Sequence, residues 1–459
     1  MNRFRLPPVL QDIARIFNAA GKEVYLVGGA VRDLILGRDS ADWDLATSAR
    51  PEEVMRLFKR VIPTGIKHGT VTIRHREVSL EVTTFRTESA YSDGRRPDAV
   101  AYAGSIEADL SRRDFTMNAA AVRLPQGTLV DPFDGRGDIR RRLIRCVGKA
   151  EERFAEDGLR PMRAVRFAAQ LGFDLEEQTL KAIPGVLDAA ARVAPERIRE
   201  ELDKTIAAPN PQTGFIIMEE TGLLKLILPE LDACRGVEQR GYHRFDVLDH
   251  SLLACAYAAK RGFSREVRMA ALFHDLGKPR VRNFVPSGDP GGTGPKGTWT
   301  FYNHEGESVR LAEGMMRRFR YPNAVTAKVL RLIAAHMFHY DETWTDSAVR
   351  RFLIRTGEDL LQELFELRLA DTAGMAGTDP DPGALLPFRR RIKSVLEKGG
   401  ALSLKDLAVN GRDLMDIGVP PGKYVGIILN ELLDTVIADP ELNSREKLLG
   451  IAGNINKRY

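Results

Sequence analysis

The sequence predicts an α+β fold, in which a head that mixes helices and strands precedes a long helical remainder. Two observations predict it. Over roughly the first 120 residues, helical stretches such as "VLQDIARIFNAAG" alternate with strand-like stretches such as "EVYLVGG" and "VSLEVTTF". From about Leu143 onward, strand signals thin out and apolar residues recur mostly at helical spacing, as in "EVRMAALFHDLG".

Length and composition restrict the class of protein. The chain has 459 residues, a length that favours about three domains. Charged residues make up 29% and the net charge is +5, which permits a polyanionic partner without requiring one. The three cysteines are scattered and odd in number, as expected for free thiols in a reducing compartment. Without an apolar run of membrane-spanning length or a signal-peptide pattern, we expect a cytoplasmic protein with no membrane contact.

The head elements follow in order along the sequence. "EVYLVGG" predicts a strand entering a glycine turn, "AVRDLILG" a short helix and "DWDLAT" the next strand. "VTIRH" and "VSLEVTTF" predict a hairpin. The polar stretch "RTESAYSDGRRPDAVAYAG" predicts a long functional loop. Farther on, "VPSGDPGGTGPKGTW" predicts an exposed loop within the helical part, and "GTDPDPGALLP" a break before the last segment.

The triplet "DWD" predicts a pair of carboxylates. Side chains at i and i+2 of a strand share one face, so Asp42 and Asp44 would point together while Trp43 enters the core. Carboxylates about 6–7 Å apart suit Mg²⁺, which binds one or two of them together with water and phosphate oxygens. Glu81, which alternates with two apolar residues, is a candidate third carboxylate or a cross-strand ion-pair partner.

The glycine turn predicts a phosphate site. Gly28 and Gly29 allow close backbone approach, the helix beginning near Ala30 points free N–H groups at the same place, and Arg32 adds a charged donor. Each feature alone also fits a surface helix or a solvated acidic turn. Their strand–glycine–helix–strand order favours a site for nucleotide and metal.

Several ordered motifs carry a family resemblance. "YLVGGAVRD" with "DWD", "EVTTFR", "DGRRP", "RRDFTMNA", "EDGLRPMRAVRFAAQLGF" and "ERIREEL" resemble the class II tRNA nucleotidyltransferases, the CCA-adding enzymes and their bacterial poly(A) polymerase relatives. The resemblance covers nearly the whole chain. It implies template-independent addition of C, C and A to tRNA 3′ ends from CTP and ATP by two-metal nucleotidyl transfer. The implied domains are a nucleotidyltransferase head (1–142), a helical neck for base selection (143–205), a helical body with an HD domain (206–375) and a tRNA-binding helical tail (376–459).

The resemblance also implies roles for head residues. Asp42 and Asp44 would hold Mg²⁺ and, with Glu81, form the catalytic set. The triphosphate would lie against the glycine turn and the following helix, at Gly28, Gly29 and Arg32. Contacts to the sugar and phosphates would come from Arg113, Asp114 and Asn118. Independently, Asp114 can accept a hydrogen bond from a ribose hydroxyl, or it can cap a helix over "FTMNAAAV".

Base selection is predicted at "EDGLR". Asp157 and Arg160 are spaced i, i+3 and would share one helix face, where such pairs are usually surface salt bridges. The resemblance implies instead an amino-acid template. A carboxylate accepts from an exocyclic amine and a guanidinium donates to a ring nitrogen, an arrangement that fits C and A and rejects U and G. Arg163 and Arg166 are candidate phosphate contacts or solvated residues, and Glu196–Glu200 would brace the template helix.

Two stretches distinguish the subfamilies. "TGIKHGTVTI" stands where poly(A) polymerases of this type carry a glycine, paired basic residues and an aromatic residue, so it resembles the CCA side. "RTESAYSDGRRPD" resembles the loop that CCA enzymes need to change from C to A. An enzyme that adds only the terminal A, and a poly(A) polymerase, stay open as alternatives.

A second candidate site lies in the helical part, where six of the eight histidines follow residue 240. The order H…HD…H…H…D resembles the HD phosphohydrolases, which hydrolyse 2′,3′-cyclic phosphates or phosphomonoesters. The primary metal set would be His250, His274, Asp275 and Asp371, with His304 and His336 holding a second metal or a phosphate. Such ligands suit Ni²⁺, Mn²⁺, Co²⁺ or Fe, whereas a lone histidine usually reflects packing.

A different class of function stays open, in which this hydrolase is the main activity and the head is an RNA-binding module. In the tail, "GVPPGKYVG" predicts a turn between two helices, where a lysine can meet a nucleic-acid phosphate or the turn can simply connect the helices. No pattern indicates an oligomeric state.

Overall fold

The computed structural model describes residues 4–39, 42–89, 99–239, 244–286, 297–399 and 401–458. The chain forms two compact units, one of residues 1–232 with 317–320 and the other of residues 233–316 with 321–459. The predicted class is confirmed, because a mixed sheet in the head precedes a mainly helical region. Within the described ranges, no helix has both the length and the apolar character that crossing a membrane requires.

The strands concentrate in the head. They are β1 (Val24–Val27), β2 (Asp44–Thr47), β3 (Val61–Gly65), β4 (Thr70–His75), β5 (Val78–Thr84), β6 (Arg86–Ser89), β7 (Ala99–Tyr102), β8 (Ala121–Arg123) and β9 (Thr128–Val130). Four short strands lie in the helical part, namely β10 (Leu143–Ile144), β11 (Asp174–Leu175), β12 (Asn283–Pro286) and β13 (Gly297–Thr300).

The helices of the first unit precede Ala233. They are α1 (Pro8–Ala19), α2 (Gly29–Ile35), α3 (Pro51–Leu57), α4 (Ile106–Ser111), α5 (Gly135–Arg141), α6 (Ala150–Glu156), α7 (Arg160–Leu171), α8 (Glu177–Ala182), α9 (Leu187–Ala191), α10 (Pro195–Ile206), α11 (Pro211–Glu220), α12 (Leu223–Ile227) and α13 (Pro229–Asp232).

The remaining helices belong mainly to the second unit. They are α14 (Val247–Lys260), α15 (Arg265–Phe273), α16 (Lys278–Val281), α17 (His304–Arg318), α18 (Asn323–Ala335), α19 (Asp346–Thr356), α20 (Leu361–Ala376), α21 (Leu386–Glu397), α22 (Gly411–Asp416), α23 (Lys423–Ala438) and α24 (Arg445–Asn456). The "GVPPG" part of "GVPPGKYVG" lies between α22 and α23, as predicted, and α23 begins at Lys423.

The main sheet has the strand order β3-β4-β5-β2-β1-β8-β9. Its β2–β5 pair is parallel and the other pairs are antiparallel, including the predicted β4–β5 hairpin. Both faces of β1 are buried: Leu26 packs in one apolar cluster with Phe17 of α1, and Val27 packs in another with Phe85. This central position fixes the end of β1, where the glycine turn begins.

The strand predicted over "DWDLAT" begins two residues late, so that part of the prediction is wrong. Val27, the last residue of β1, pairs with Asp44. Beyond it, Gly28 turns the chain away with φ 72° and ψ −142°, so β1 offers no partner for Asp42 or Trp43. Trp43 is nevertheless partly buried against the apolar cluster of Leu26, as expected.

Two predicted loops have strands at their ends. β6 pairs with β7 across the stretch beginning at Arg86, and β12 pairs with β13 across the one beginning at Val285. The centres of both stretches, residues 90–98 and 287–296, lie outside the described residues. Contrary to the all-helical expectation for the remainder, β10 and β11 also pair there, in parallel.

Candidate functional site

A cleft of about 730 Å³ opens in the first unit. Its walls come from the glycine turn, the start of β2, the segment after α4, and helices α7 and α10. All head and neck residues predicted as site residues line it except Glu81. The lining comprises Gly28, Gly29, Arg32, Asp42, Asp44, Arg112, Arg113, Asp114, Asn118, Asp157, Leu159, Arg160, Arg163, Arg166, Phe167, Gln170, Arg197 and Lys204.

Three carboxylates lie near one another, and two of them, Asp42 and Asp44, line the cleft. Asp44 is paired with Glu81 in the parallel β2–β5 ladder, which puts both side chains on one face of the sheet. Burial raises the pKa of Asp44, the charges of Asp42 and Glu81 raise it further, and Arg113 opposes them. Among the described residues, no cation forms an ion pair with Glu81, so the cross-strand alternative is not supported.

Because Gly28 has no side chain, the space beside the carboxylate of Asp44 and the guanidinium group of Arg113 stays open. A Cβ atom at Gly28 would lie 3.4 Å from Nη1 of Arg113 and 3.5 Å from Oδ2 of Asp44. The next arginine along, Arg32, donates from Nη1 to Oδ1 of Asn118 at 3.1 Å. Arg113 donates to Oδ2 of the buried Asp109 at 3.3 Å, and burial lowers the pKa of Arg113. The backbone of the turn and the guanidinium groups of Arg32 and Arg113 therefore all line the cleft beside the carboxylates.

Asp114 connects the head to the neck. Its Oδ2 accepts from Nε of Arg163 in α7 at 2.7 Å, and its Oδ1 accepts from the amide of Phe115 at 2.8 Å. Burial alone would raise the pKa of Asp114, but Arg163 and these hydrogen bonds hold it below the ordinary value. The alternative helix-capping role is wrong, because only a 3₁₀ turn at Thr116–Asn118 follows, and the chain then enters β8.

Asp157 and Arg160 both line the cleft but do not share a helix face, which corrects the predicted geometry. Asp157 follows the last residue of α6, and Arg160 is the first residue of α7. The cause is Pro161, which cannot continue α6 because its ring would clash with the carbonyl group of Asp157. The helix therefore restarts with proline near its first position.

Each member of this pair already has partners. Arg197 of α10 donates to both carboxylate oxygens of Asp157, at 2.8 and 3.3 Å, and so supplies part of the bracing expected of the "ERIRE" stretch. Glu196 of that stretch pairs with Arg320 instead. Arg160 is buried and donates to Oε2 of Glu156 at 2.5 Å and to the carbonyl of Arg112 at 3.1 Å. Together with a bond to the carbonyl of Arg153, these contacts use three of the five N–H groups of Arg160, so Nε and the second Nη2 hydrogen can meet a base without an exchange.

Sequence reasoning missed an aromatic residue in the cleft wall. Phe167 lies with its ring centre 4.1 Å from the guanidinium carbon of Arg166, and 5.6 Å from those of Arg32 and Arg163. Arg166 is buried rather than solvated and pairs with Glu201 at 2.9 Å. The signal was present, since helical spacing from Arg163 reaches Arg166, Phe167 and Gln170. Also missed as lining residues were Arg112, Leu159 and Lys204.

The predicted histidines and aspartates of the second unit come together in a buried cluster, named here the histidine cluster. Its members come from five helices or their ends: α14, α15, α17, α18 and α20. The cluster consists of His250, His274, Asp275, His304, His336 and Asp371, all at most 5% exposed.

Asp275 lies at the centre of the histidine cluster. Its Oδ2 is 3.2 Å from Nε2 of His274 and its Oδ1 is 3.2 Å from Nε2 of His304. Two trios with ligand atoms within 4.8 Å share it: His250 and His274 with Asp275, and His304 and His336 with Asp275. One carboxylate can thus serve two adjacent metal positions.

The second nitrogen of three rings is fixed by the backbone. Nδ1 of His274, His304 and His336 lies 2.7–2.9 Å from a carbonyl oxygen three residues earlier, so Nε2 faces the centre. Metal-binding histidines are commonly held in this way. Burial lowers the pKa of His336 to about 3 with help from His274, so this imidazole is neutral. Burial opposes protonation of His274 as well, but Asp275 and Asp371 raise its pKa to about 10, so a metal ion there must displace a proton.

Comparisons with known proteins agree with the geometry. Models of the poly A polymerase head domain and of the probable RNA and SrmB-binding site of polymerase A match residues 24–145 and 172–235. The model of tRNA nucleotidyltransferase domain 2 matches residues 298–452. The CCA-adding enzyme of Geobacillus stearothermophilus is 36% identical over 431 residues, which are 93% of this chain and 92% of that one.

Solved structures extend the likeness to the fold. The crystal structure of the Bacillus stearothermophilus CCA-adding enzyme in complex with CTP matches with a TM-score of 0.71 at 32% identity, covering 99% of each chain. The Thermotoga maritima CCA-adding enzyme complexed with tRNA matches in fold, with a TM-score of 0.57 at 18% identity over 98% of this chain and 99% of that one. The chain belongs to the CCA-adding enzymes, the tRNA nucleotidyltransferases whose head it shares with poly(A) polymerases.

Proposed function

We propose that this protein adds C, C and A to the 3′ ends of tRNA from CTP and ATP, and that the addition takes place in the cleft of the first unit. One observation carries the proposal. Several separate sequence motifs were predicted to bind the metal, the triphosphate and the base, and residues from each of these motifs line that one cleft. The family is dependent on divalent metal ions, as nucleotidyl transfer requires.

The head metal site that we propose consists of Asp42 and Asp44, with Glu81 beside them. Their mutual repulsion contributes to the raised pKa of Asp44, and a divalent cation relieves such repulsion. Oxygen ligands with room for water and phosphate suit Mg²⁺. When bound there, Mg²⁺ supplies charge compensation at the attacking and leaving oxygens.

The chain's own groups hold the nucleotide. In this proposal, the backbone at Gly28 and Gly29 approaches the triphosphate, and the guanidinium groups of Arg32 and Arg113 donate to its oxygens. Both arginines line the cleft beside Asn118, which already accepts from Arg32. Asp114 keeps Arg163 at the wall, where this arginine can meet a phosphate or ribose oxygen.

Base choice is assigned in this proposal to Asp157 and Arg160. A carboxylate and a guanidinium together match the amine and ring nitrogen of C and A. Glu156 and two backbone carbonyls hold Arg160 through three of its five N–H groups, which leaves two for the base, and Arg197 keeps Asp157 in place. The corresponding domain roles are a catalytic head (1–142), a base-selecting neck (143–205), a body (206–375) and a tRNA-binding tail (376–459).

The test offers tRNAs that end at the discriminator base, at C and at CC, each with CTP, ATP, GTP or UTP alone and with CTP plus ATP. We expect two C residues and then one A. Incorporation of A alone on the CC-ending tRNA would indicate an A-adding enzyme, and continued A addition would indicate a poly(A) polymerase. Asp44→Asn is the matched variant: if it adds nucleotides normally, the cleft is not the catalytic site and the head is a binding module.

A second function is supported by the histidine cluster. We propose that the cluster binds transition metal ions and hydrolyses phosphate esters, by attack of water on phosphorus with loss of one ester oxygen, which takes up a proton. Buried imidazole rings with centres 4.9–5.2 Å apart, grouped about a shared carboxylate, suit Ni²⁺, Mn²⁺, Co²⁺ or Fe.

The hydrolase proposal is tested by metal analysis and by assay. Purified protein would be loaded with Ni²⁺ or Mn²⁺, desalted, and incubated with adenosine 2′,3′-cyclic phosphate. We expect bound metal and release of adenosine monophosphate. If the protein retains no transition metal and releases no product, this second function is rejected while the tRNA reaction stands.

A further inference from the structure

A cavity of about 270 Å³ lies beside the histidine cluster, within the second unit. Its wall comes from two segments that also carry cluster residues. Phe338, His339 and Tyr340 follow His336 closely, and Arg368, Leu369 and Thr372 surround Asp371 in the sequence of α20. The remaining lining residues are Pro380, Asp381, Ala384 and Leu385.

Arg368 connects the cavity to the cluster. It donates from Nη1 to Oδ2 of Asp371 at 2.9 Å. The other carboxylate oxygen of Asp371, Oδ1, lies 3.3 Å from Nε2 of His250. A residue of the cavity wall therefore contacts one of the candidate metal ligands directly, and Arg368 is partly exposed, with 27% of its side chain accessible. A guanidinium in this place can reach a phosphate that is bound at the cluster.

The aromatic part of the wall can continue a stack. The ring of Tyr340 lies on that of Phe388 with centres 4.3 Å apart and planes 13° apart. Phe388 is fully buried and covers one face of Tyr340, whereas Tyr340 is only partly buried and lines the cavity. A flat heteroaromatic ring in the cavity would extend the stack, as nucleobases do on tyrosine and phenylalanine.

Charge orients the occupant. Asp381, on the exposed part of the wall, repels phosphate and accepts hydrogen bonds from hydroxyl or amino groups, whereas Arg368 attracts phosphate. We infer that this cavity is the nucleoside subsite of the histidine cluster: it holds the base and ribose of a nucleoside phosphate against Tyr340, and Arg368 contacts the phosphate. The inference rests on the hydrolase function proposed above for the same cluster.

The kinetic test uses the full-length, Ni²⁺-loaded protein and two cyclic phosphates with the same reacting ring. Adenosine 2′,3′-cyclic phosphate carries the base, and glycerol 1,2-cyclic phosphate does not. For Tyr340→Leu we expect a loss of about 10-fold in kcat/KM on the adenosine ester, mostly through KM, and no change on the glycerol ester. Tyr340→Phe should retain wild-type values, because it keeps the ring.

Phe352→Leu is the matched control. Phe352 is buried in the same aromatic group, with its ring centre 5.0 Å from that of Phe388, but it does not line the cavity. It should lower thermal stability without changing the preference between the two esters. Equal losses on both esters for Tyr340→Leu, or the same change in preference for Phe352→Leu, would overturn the inference.

A binding readout separates this inference from the hydrolase proposal. Hydrogen–deuterium exchange would be measured on the full chain with and without adenosine 3′-monophosphate. We expect protection of residues 337–345 and 380–388, lost in Tyr340→Leu. Protection there without hydrolysis would reject the hydrolase and keep the nucleoside subsite. Hydrolysis without such protection, or protection confined to the cleft residues of the first unit, would reject the subsite.

Discussion

Alanine at Gly28 should disable the cleft by filling a space, and Gly37 provides the comparison. Gly28 has φ 72° and ψ −142°, a region that only glycine adopts readily, so alanine there costs about 1–3 kcal/mol. Gly37 ends the next helix with φ 69°, where alanine costs about 1–2 kcal/mol. Both variants should therefore unfold at lower temperature.

Of the two methyl groups that these substitutions add, only the one at Gly28 would lie against residues of the cleft. At Gly28 the Cβ would lie 3.4 Å from Arg113 and 3.5 Å from Asp44, whereas at Gly37 it meets no described atom within 4 Å. In Gly28→Ala the methyl group would therefore occupy the space beside Arg113 and Asp44 that a phosphate oxygen needs. Loss of one charged hydrogen bond, worth about 1.5–3 kcal/mol, corresponds to about 10- to 100-fold in kcat/KM.

The assay is incorporation of labelled CMP and AMP into tRNA that lacks CCA, at a temperature well below both unfolding midpoints. Gly28→Ala should lose about 10- to 100-fold in kcat/KM for CTP and ATP, and Gly37→Ala less than about 2-fold. Equal activities for the two variants would refute the reasoning that Gly28 leaves room for phosphate.

Three further variants test other parts of the structure. Phe167→Leu removes the ring beside three guanidinium groups and should raise KM for both nucleotides several-fold. Phe154 is also buried but lies outside the cleft, so Phe154→Leu should lower stability and leave KM unchanged. Asp114→Asn should lower the free energy of unfolding by about 2 kcal/mol at pH 7. This is less than for a fully buried ion pair, because Arg163 is about one-third exposed and solvent screens its charge. Because the folded-state pKa of Asp114 lies below 3.8, wild-type and variant urea-unfolding energies should converge as the pH falls through that pKa, and a constant difference would contradict the ion pair. Asp275→Asn should lose most of the bound Ni²⁺ in elemental analysis, and unchanged metal content would exclude Asp275 as a ligand.

Much of the head was predictable because its signals are local. Alternation of apolar residues identified the β4–β5 hairpin, and paired glycines marked the end of β1. The two-residue error at "DWDLAT" arose because strand bounds depend on a partner. The last residue of β1 pairs with Asp44, and the sequence around Asp42 carries no information about where β1 ends.

Side-chain partners over long sequence separations were not predictable. Asp114 pairs with Arg163, and Asp157 pairs with Arg197, across separations of 49 and 40 residues. The helix break before Arg160 could have been predicted from the sequence, because Pro161 disfavours one continuous helix. Phe167 resembles an ordinary core residue until the three arginines near it are known. In the histidine cluster, the order of residues predicted the members, but only the fold shows that Asp275 is shared.

The Asp114–Arg163 pair also limits how this enzyme can be recombined with its relatives. A hybrid joined at residue 142 would take Asp114 from one parent and the helix equivalent to α7, which carries Arg163 here, from the other. Unless that helix supplies a guanidinium of equal reach, the hybrid would bury a charge without a counterion, at a cost of several kcal/mol. A junction after Asp232 leaves this pair within one parent, but residues 317–320 also belong to the first unit and Arg318 pairs with Glu230, so that segment must come from the same parent as the head and neck.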